Sequence, residues 1–370
     1  MVLRGDSVRI GVIGCGQWGP NHIRVFNSSP DAEVVACSDL EPGRLHQMRV
    51  LYPHIRTTTE YWQILGDPDI EAVVLATPTA THHKIVGEAL RQGKDVLVEK
   101  PLADTLAHAL SLAKLARARK RILMVGHTFM FNSGIVKLKE YIQSGMLGRI
   151  YYLNAIRTNL GPIRHDVSSV WDLASHDISI FNFLLNSTPL SVSARAEDFI
   201  QKGLEDVAFV TLSYPKRVLV NIHVSWLNPR KVREITAVGE KMMVVWDDLD
   251  NVGPIRMYDK KVVRHKFYES FGEFQLLIKE GDLTIPKLAL EEPLKAQSQH
   301  FLRAVRSRER PISDAGTGVE VVRALTAIKR SIDRHGASIS LPAESGRKAA
   351  RTARKHRIPA AGSRRRPAEA

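Results

Sequence analysis

The chain carries a glycine-rich turn close to its start, and this turn limits the possible folds more than any other feature. The turn, Gly14-Cys15-Gly16-Gln17-Trp18-Gly19, follows the apolar segment Val8–Gly14 and comes directly before a segment with helical character. In this strand–turn–helix context, glycines let the backbone approach a pyrophosphate, and the helix N-terminus attracts the anion. We therefore predict a dinucleotide site whose contacts include Gly14, Gly16, Gln17, Trp18 and Gly19.

An acidic residue at the end of the next predicted strand supports the same interpretation. Asp39 closes the apolar segment Glu33–Asp39 and lies 20 residues after Gly19. At this position a carboxylate can accept hydrogen bonds from the adenosine ribose hydroxyls. The same carboxylate would repel a 2′-phosphate, so the sequence predicts NAD rather than NADP as the cofactor.

Short apolar segments alternate with helical patterns through the first third of the chain, which is typical of a doubly wound parallel sheet. The later predicted strands are Glu71–Thr77, Asp95–Lys100 and Ile122–His127, and the intervening helices include His83–Gln92 and Leu106–Arg119. We therefore predict an α/β Rossmann domain over residues 7–127.

The pattern becomes rich in strands after about Gly148. The predicted strands are Ile150–Thr158, Asp206–Tyr214, Val218–Trp226, Arg233–Gly239 and Met242–Asp247, and the predicted helices are His176–Leu185, Pro293–Arg306 and Gly318–His335. Several strands alternate in polarity, which favours an α+β domain with a mainly antiparallel open sheet. We assign residues 128–335 to this substrate and oligomerisation domain. An uncovered sheet face with apolar side chains favours a homodimer or homotetramer.

The carboxyl ends of the strands supply further candidates, because ligands of doubly wound sheets bind at that edge. Thr77 and Pro78 follow the fourth strand, and we expect both of them and the nearby His82 to lie at the cofactor. For His82 we favour a structural role over a catalytic one. Thr81 is predicted to be the N-cap of the following helix.

The segment Glu99-Lys100-Pro101 ends the fifth predicted strand and directs a lysine toward the nicotinamide end of the cleft. Pro101 restricts the backbone before it, which would help to fix the Lys100 side chain. A lysine beside a cationic nicotinamide loses its proton more readily and can then take a proton from a substrate hydroxyl. We count Glu99 and Lys100 as cofactor-binding candidates. A surface lysine that follows a strand is the simpler alternative.

Asp172 and His176 form a candidate acid/base pair, four residues apart on a predicted helix. Residues at this spacing share one helix face, so the carboxylate can orient the imidazole and raise its basicity. Such a pair is suited to removing the proton of an alcohol. The alternative is an acidic helix start beside a buried structural histidine.

Taken in order, the glycine turn, the TPxxxH loop, the EKP segment and the DxxxH segment resemble the glucose-fructose oxidoreductase / inositol dehydrogenase / rhizopine-catabolism (Gfo/Idh/MocA) family, over about residues 7–335. The resemblance implies NAD(P) binding at the glycines and Asp39. It also implies that Lys100, Asp172 and His176 surround the carbinol that reacts. The family's second domain has an open sheet that is often used for oligomerisation.

The substrate end departs from the family pattern. Met130 stands where arginine is usual, and Ser133 stands where proline is usual. The segment Arg157–Asp177 is similar to members that oxidise nucleotide-linked amino sugars, or their uronic acids, at C3. Arg157 and Arg164 are therefore candidates for a substrate diphosphate or carboxylate, which guanidinium groups bind bidentately. Ordinary surface charge is the alternative for both.

Charge and composition set the remaining expectations. Half of the net charge of +14 lies in the last 27 residues, so we predict a disordered basic tail at residues 345–370 and no specific nucleic-acid partner. No apolar run is long enough for a membrane span or a signal peptide, which favours a cytoplasmic protein without membrane contact. Cys15 and Cys37 are expected to be buried free thiols, and no residue cluster indicates a metal site.

These features predict an NAD-dependent oxidoreductase that transfers hydride between a sugar-type secondary alcohol and NAD. C3 of a nucleotide-linked amino sugar or uronic acid is one candidate position. The enzymatic alternatives are an inositol or polyol dehydrogenase and a redox-neutral, NAD-dependent glycoside hydrolase. The non-enzymatic alternative is a dinucleotide-binding sensor, against which the combination of Lys100, Asp172 and His176 speaks.

Overall fold

The computed structural model describes residues 7–266 and 274–341, which form two large sheets, one small hairpin and the helices that flank them. The predicted basic tail at residues 345–370 lies outside the described residues. Within the described ranges, no helix is both long enough and apolar enough to cross a membrane.

The first large sheet is parallel throughout and confirms the predicted doubly wound fold. Its strands are β1 (Val8–Ile13), β2 (Ala32–Ser38), β3 (Arg56–Thr58), β4 (Ala72–Leu75), β5 (Asp95–Glu99) and β6 (Leu123–Gly126). Their order in the sheet is β3-β2-β1-β4-β5-β6. The helices are α1 (Gly19–Asn27), α2 (Pro42–Leu51), α3 (Tyr61–Leu65), α4 (Thr79–Arg91) and α5 (Leu106–Arg119). Because β3 is short and polar, no apolar run predicts it.

The second large sheet has nine strands and is mainly antiparallel, as predicted, with one parallel pair at its centre. Its strands are β7 (Ile150–Leu160), β8 (Ser191–Glu197), β9 (Val207–Tyr214), β10 (Val218–Ser225), β11 (Leu227–Gly239), β12 (Met243–Asp247), β13 (Ile255–Tyr258), β16 (Leu283–Thr284) and β17 (Ile339–Ser340). Their order is β16-β13-β12-β11-β7-β10-β9-β8-β17, and β14 (Lys261–Lys266) pairs separately with β15 (Phe274–Lys279).

Four helices connect and cover the sheets. They are α6 (Ser133–Gln143), α7 (Ser175–Leu185), α8 (Pro293–Ser307) and α9 (Ala315–Ile332). Helix α9 contacts helix α5, strand β6 of the first sheet and strand β8 of the second sheet. Helix α8 packs on α1. These contacts hold the two sheets around a shared cleft.

Two predicted helices, His83–Gln92 and Gly318–His335, have different boundaries in the structure, and the second also ends early, at Ile332. The helix predicted at His83–Gln92 begins at Thr79, so Thr81 lies inside α4 and is not its N-cap. The Thr81 hydroxyl donates to the Pro78 carbonyl instead, at 2.8 Å. The last helix begins three residues early, because the Asp314 carboxylate caps it by accepting from the N–H of Thr317.

Candidate active site

A cleft of about 1740 Å³ opens at the carboxyl ends of the first sheet's strands and continues onto the second sheet. This is the edge at which doubly wound sheets bind ligands. The sequence-predicted residues that line it are Gly14, Gly16, Gln17, Trp18, Asp39, Thr77, Pro78, Glu99, Lys100, Arg157, Arg164, Asp172 and His176. Gly19 and the buried His82 lie directly behind this wall. The fold therefore brings the candidate motifs to one cleft.

The glycine turn has the shape that a dinucleotide cradle requires. Gly14 has a φ of +95°, and a Cβ there would lie 2.7 Å from the Ala76 carbonyl oxygen. At Gly19 a Cβ would lie only 1.9 Å from the oxygen of Gly14, so both positions need glycine. By contrast, the nearest atom to a Cβ at Gly16 is an Arg44 side-chain nitrogen at 3.5 Å, which leaves the backbone open toward the cleft. These residues fit a pyrophosphate at the N-terminus of α1.

Asp39 does more than the sequence predicted, because its carboxylate also fixes the glycine turn. One oxygen, Oδ2, accepts from the N–H of Cys15 at 2.7 Å, and Oδ1 accepts from the N–H of Glu41 at 2.9 Å. The guanidinium of Arg44 lies 3.4 Å from both oxygens and is half-exposed. A carboxylate has further lone pairs for ribose hydroxyls. Arg44 is a residue at the adenosine end that sequence reasoning missed.

Replacing Asp39 by serine is expected to relax the cofactor preference from NAD toward NADP. The change removes the charge that repels a 2′-phosphate, a repulsion that costs several kcal/mol, and it frees Arg44 to pair with that phosphate. The NADP-to-NAD ratio of kcat/KM should rise by at least about tenfold. Adding Arg44→Ala to Asp39→Ser should cancel most of the increase in the NADP-to-NAD ratio of kcat/KM. A wild-type preference for NADP would contradict the assignment.

His82 is buried and joins the two cofactor loops, in line with the structural role favoured for it. Its Nδ1 lies 2.9 Å from the Pro101 carbonyl oxygen and its Nε2 lies 3.0 Å from that of Thr77. Burial lowers the pKa of His82, so the neutral ring donates to one carbonyl at a time. The imidazole therefore supports the cleft wall and does not point into it.

The buried carboxylate of Glu99 is held by a histidine of the cofactor helix. His22 Nε2 lies 2.9 Å from Glu99 Oε1, and neither side chain is more than slightly exposed. Burial alone would raise the pKa of Glu99, but the His22 bond and the charge of Lys100 hold it below its ordinary value. This pair ties α1 to the residue before Lys100.

Lys100 and Asp172 meet at the centre of the cleft. The Lys100 ammonium donates to Asp172 Oδ1 and to the Asp172 backbone carbonyl, each at 2.9 Å. Arg164 Nη1 donates to the same carboxylate at 3.2 Å. Burial opposes ionisation of Asp172, but Lys100 and Arg164 outweigh it and lower its pKa. The Lys100–Pro101 peptide bond is cis.

His176 lies half-buried beside this pair and does not hydrogen-bond to Asp172, which differs from the predicted arrangement. A π-helical turn at Val170–Ala174 precedes α7 and changes the angular spacing of the two side chains. The imidazole packs edge-on against Phe129 with ring centroids 5.0 Å apart. Burial, reinforced by the charge of Lys100, lowers its pKa well below the ordinary value, so the ring is neutral at pH 7. Among the described residues, its Nδ1 has no hydrogen-bond partner.

The two arginines proposed for substrate contact have different environments. Arg157 is buried, and its Nε and Nη2 donate to the buried Asp177 at 2.8–3.1 Å. Its guanidinium also lies 4.5 Å from the centre of the Phe129 ring. Arg164 is partly exposed and pairs with Asp166 as well as Asp172. Arg164 is thus at the centre of the site, whereas most of the donor capacity of Arg157 is committed to Asp177.

His127 is a buried histidine at the site that the motif analysis missed. It follows β6, one residue after the Gly126 that pairs with Glu99, and is therefore next to Lys100. In the described part of the chain, neither ring nitrogen has a hydrogen-bond partner. Burial, with the charge of Lys100, lowers its pKa from 6.5 to about 4.

Acid is expected to destabilise the protein through His127 between about pH 6.5 and pH 4. The unfolded chain binds a proton at this residue over that range and the folded chain does not, so the free energy of unfolding falls as the pH falls. The slope is at most about 1.4 kcal/mol per pH unit, or about 3 kcal/mol in all. His127→Gln should flatten the curve of unfolding free energy against pH. An unchanged slope in urea titrations would contradict this assignment.

Two family models match the chain. Residues 8–127 match the model described as an oxidoreductase family with an NAD-binding Rossmann fold. Residues 135–245 match the model of the GFO/IDH/MocA C-terminal domain. Together the matches cover more than half of the chain.

Named relatives include inositol dehydrogenases. Inositol 2-dehydrogenase 2 of Saccharopolyspora erythraea is 29% identical over 225 residues, which are 59% of this chain and 66% of the relative. The scyllo-inositol 2-dehydrogenase (NAD(+)) of Bacillus subtilis is 31% identical over 193 residues, which are 50% of this chain and 56% of the relative. The chain therefore spans less than two thirds of the length of the curated relatives it matches.

Solved structures match over nearly the whole described fold. A Magnetospirillum magnetotacticum protein described as an oxidoreductase is 30% identical, with a TM-score of 0.73 that covers 87% of this chain and 99% of that one. The UDP-N-acetylglucosamine 3-dehydrogenase of Acidithiobacillus ferrooxidans is 21% identical, with a TM-score of 0.73 that covers 89% and 98% of the two chains. At 21% identity, the similarity to the UDP-N-acetylglucosamine 3-dehydrogenase shows only that the two chains share a fold.

Proposed function

The chain belongs to the GFO/IDH/MocA oxidoreductase family, as its motifs predicted, and from that premise we propose that it oxidises a sugar-type secondary alcohol with NAD or catalyses the reverse reduction. The observation that carries the proposal is the meeting of Lys100, Asp172 and His176 in the cleft that also holds the glycine cradle. Inositol dehydrogenases among the relatives support an alcohol of this class.

Bound NAD supplies a hydride acceptor at its nicotinamide ring, and the protein has to manage the alcohol proton. His176 is suited to accept that proton because it is neutral at pH 7 and forms part of the cleft wall. A nicotinamide cofactor held by the glycine turn and Asp39 would take up the hydride of the carbinol, and His176 would accept the O–H proton, so that the alcohol would become a ketone. The reverse reaction returns the proton from the imidazolium to the carbonyl oxygen.

Lys100 is proposed to hold the reacting oxygen. Its ammonium is a donor fixed at 2.9 Å from Asp172, and its charge favours the alkoxide-like oxygen that forms as the proton leaves. Asp172 positions that ammonium and, with Arg164, supplies polar contacts for a neighbouring hydroxyl. The buried His22–Glu99 pair supports the strand end from which Lys100 extends.

Two substrate classes within this reaction compete. The similarity of Arg157–Asp177 to nucleotide-sugar oxidising members favours C3 of a nucleotide-linked amino sugar or uronic acid. The inositol 2-dehydrogenases favour a free polyol. A redox-neutral glycoside hydrolase would use the same residues but keep its cofactor, and a dinucleotide sensor would not need Lys100 and His176.

The proposal is tested by following NADH absorbance while the protein and NAD are offered inositols, free sugars, uronic acids and nucleotide sugars. Stoichiometric release of NADH and ketone with one class supports a dehydrogenase. Cleavage of a glycoside without net NADH identifies the hydrolase alternative. A protein that binds NAD and alters none of these compounds would be a sensor, and the proposed function would be wrong.

We also propose that the chain forms a homodimer or homotetramer through the outer face of the nine-stranded sheet. This face carries Tyr152, Phe209 and Leu219, whose side chains are 45%, 53% and 50% exposed. Tyr152 and Leu219 lie opposite each other on neighbouring strands, and exposed apolar side chains on a sheet face are typical of an interface. Light scattering at micromolar concentration should give twice or four times the monomer mass, and Phe209→Glu with Leu219→Lys should reduce it. A wild-type monomer would contradict the proposal.

A further inference from the structure

One face of the nine-stranded sheet changes from apolar to cationic as it approaches the cleft. On β7, the alternate residues Leu153 and Ala155 are buried in the core, and the next residue on that face is Arg157. On the neighbouring β11, Ile235 and Ala237 are buried, and they are followed toward the cleft by Arg233 and Lys231, which both line it. The core face of the sheet therefore continues as a cationic wall of the substrate cleft.

Arg157 and Arg233 lie directly opposite each other on adjacent antiparallel strands. Like charges in this position repel and destabilise the pair of strands unless each has a counter-ion. Arg157 has the buried Asp177. Within the described residues, the Arg233 guanidinium donates one hydrogen bond, from Nη1 to Asp248 at 3.2 Å, which leaves other guanidinium N–H groups for a ligand.

The acidic groups at this end do not balance the cations. Asp166 pairs with Arg164, Asp172 is shared by Lys100 and Arg164, and Asp248 is shared by Arg233 and an Asn132 amide that donates at 3.1 Å. Burial raises the pKa of Asp248, although Arg233 opposes that effect.

Lys231 adds a further positive charge on the same wall. Its side chain is exposed, it lines the cleft, and it forms no ion pair within the described residues. It lies two residues before Arg233 on one strand, so the two cations are neighbours on this wall. A neutral ligand would leave this excess positive charge of the cleft wall without a counter-charge.

We propose that the substrate carries an acidic group, a carboxylate or a phosphate, away from the carbon that is oxidised, and that Lys231 and Arg233 bind that group. The inference rests on the proposed alcohol oxidation and names the class of alcohol. Guanidinium and ammonium donors on adjacent positions suit an anion with several oxygens. A free inositol or neutral polyol lacks such a group.

The test compares ligands that differ in charge, with the protein saturated with NADH so that the cofactor's own phosphate site is filled. The probes are D-glucose, D-glucuronate, D-glucose 6-phosphate and inorganic pyrophosphate, and calorimetry gives the dissociation constants. The variants are Lys231→Met and Lys231→Glu, because this exposed residue can change without loss of the fold. Lys216→Glu, on the exposed turn at the far end of β10, is the matched control.

At least one acidic probe should bind wild type about tenfold or more tightly than glucose, since a charge-assisted hydrogen bond contributes roughly that much. The advantage should shrink with added salt and with Lys231→Met, and disappear with Lys231→Glu, while Lys216→Glu retains it. The glucuronate and phosphate probes separate a carboxylate from a phosphate site. Equal binding of charged and neutral probes, or unchanged binding in Lys231→Glu, would overturn the inference.

Failure of the proposed alcohol oxidation would give a different result from failure of the acidic-substrate inference. If alcohol oxidation is wrong, no alcohol yields NADH, yet pyrophosphate should still bind through Lys231. If only the acidic-substrate inference is wrong, neutral alcohols yield NADH and the Lys231 variants behave as wild type.

Discussion

Replacing Lys100 or His176 by alanine is expected to slow turnover by about 10²–10⁴-fold and to leave NAD affinity near the wild-type value. The loss is the usual effect of removing a positioned acid/base group. Lys100→Ala removes the ammonium that contacts Asp172 at 2.9 Å, and His176→Ala removes the neutral imidazole. NAD affinity should survive because the glycine turn and Asp39 are unchanged and are held by their own hydrogen bonds.

Both quantities have to be measured for each variant, turnover from NADH absorbance and affinity from fluorescence titration. Lys114→Ala on the exposed side of α5 is the control, because it removes a lysine far from the cleft motifs. Asp172→Asn should lose less than Lys100→Ala if the carboxylate only positions the ammonium, and about as much if it holds substrate. Near-normal turnover in both alanine variants would refute the mechanism. If turnover and NAD affinity fell together, the residues would be structural.

Removing the carboxylate of Asp177 is expected to lower the free energy of unfolding by about 3–5 kcal/mol, because it leaves a buried guanidinium without its counter-ion. Asp177 and Arg157 are almost fully buried and form a bidentate pair with bonds of 2.8–3.1 Å. Replacing both residues with apolar ones, Arg157→Met with Asp177→Leu, should cost far less than the single Asp177→Ala change.

The measurement is the urea midpoint and slope of each variant. Glu140→Ala provides a matched control, since it breaks an exposed pair with Lys137 that is worth at most about 1 kcal/mol. An Asp177→Ala midpoint equal to that of Glu140→Ala would show that the buried pair contributes little. A double variant as unstable as Asp177→Ala would place the cost in packing instead of charge.

Motifs whose geometry is local could be predicted from the sequence. The cradle depends on three glycines within six residues after an apolar strand, and Lys100 depends only on its place at the end of such a strand. Parallel strands bring their carboxyl ends to one edge, so the convergence of these residues follows from the strand order. The boundaries of α5 at Leu106–Arg119 were also predicted correctly, and its start is local too, since the Thr105 side chain caps it by accepting from the N–H of His108.

Features that depend on pairing across the chain could not be predicted. Arg233 is a site residue only because β11 pairs with β7, and nothing near it in the sequence indicates that neighbour. Arg157 can be buried because its counter-ion, Asp177, lies on α7, and nothing near Arg157 in the sequence indicates that pairing. Met130, which departs from the family pattern, is a buried core residue here. β8 was missed because its serines and small residues give little hydrophobic signal.

The π-helical turn at Val170–Ala174 keeps the Asp172 carboxylate and the His176 imidazole apart. An uninterrupted α-helix would satisfy its backbone more regularly but would set Asp172 and His176 side by side, so that each would neutralise the other. With the irregular turn, the carboxylate pairs with Lys100, and His176 Nδ1 has no hydrogen-bond partner among the residues that the structure describes. Deletion of one residue in this turn should therefore restore a regular α-helix and, by pairing His176 with Asp172, remove the proton acceptor, so that the backbone becomes more regular and catalysis is lost.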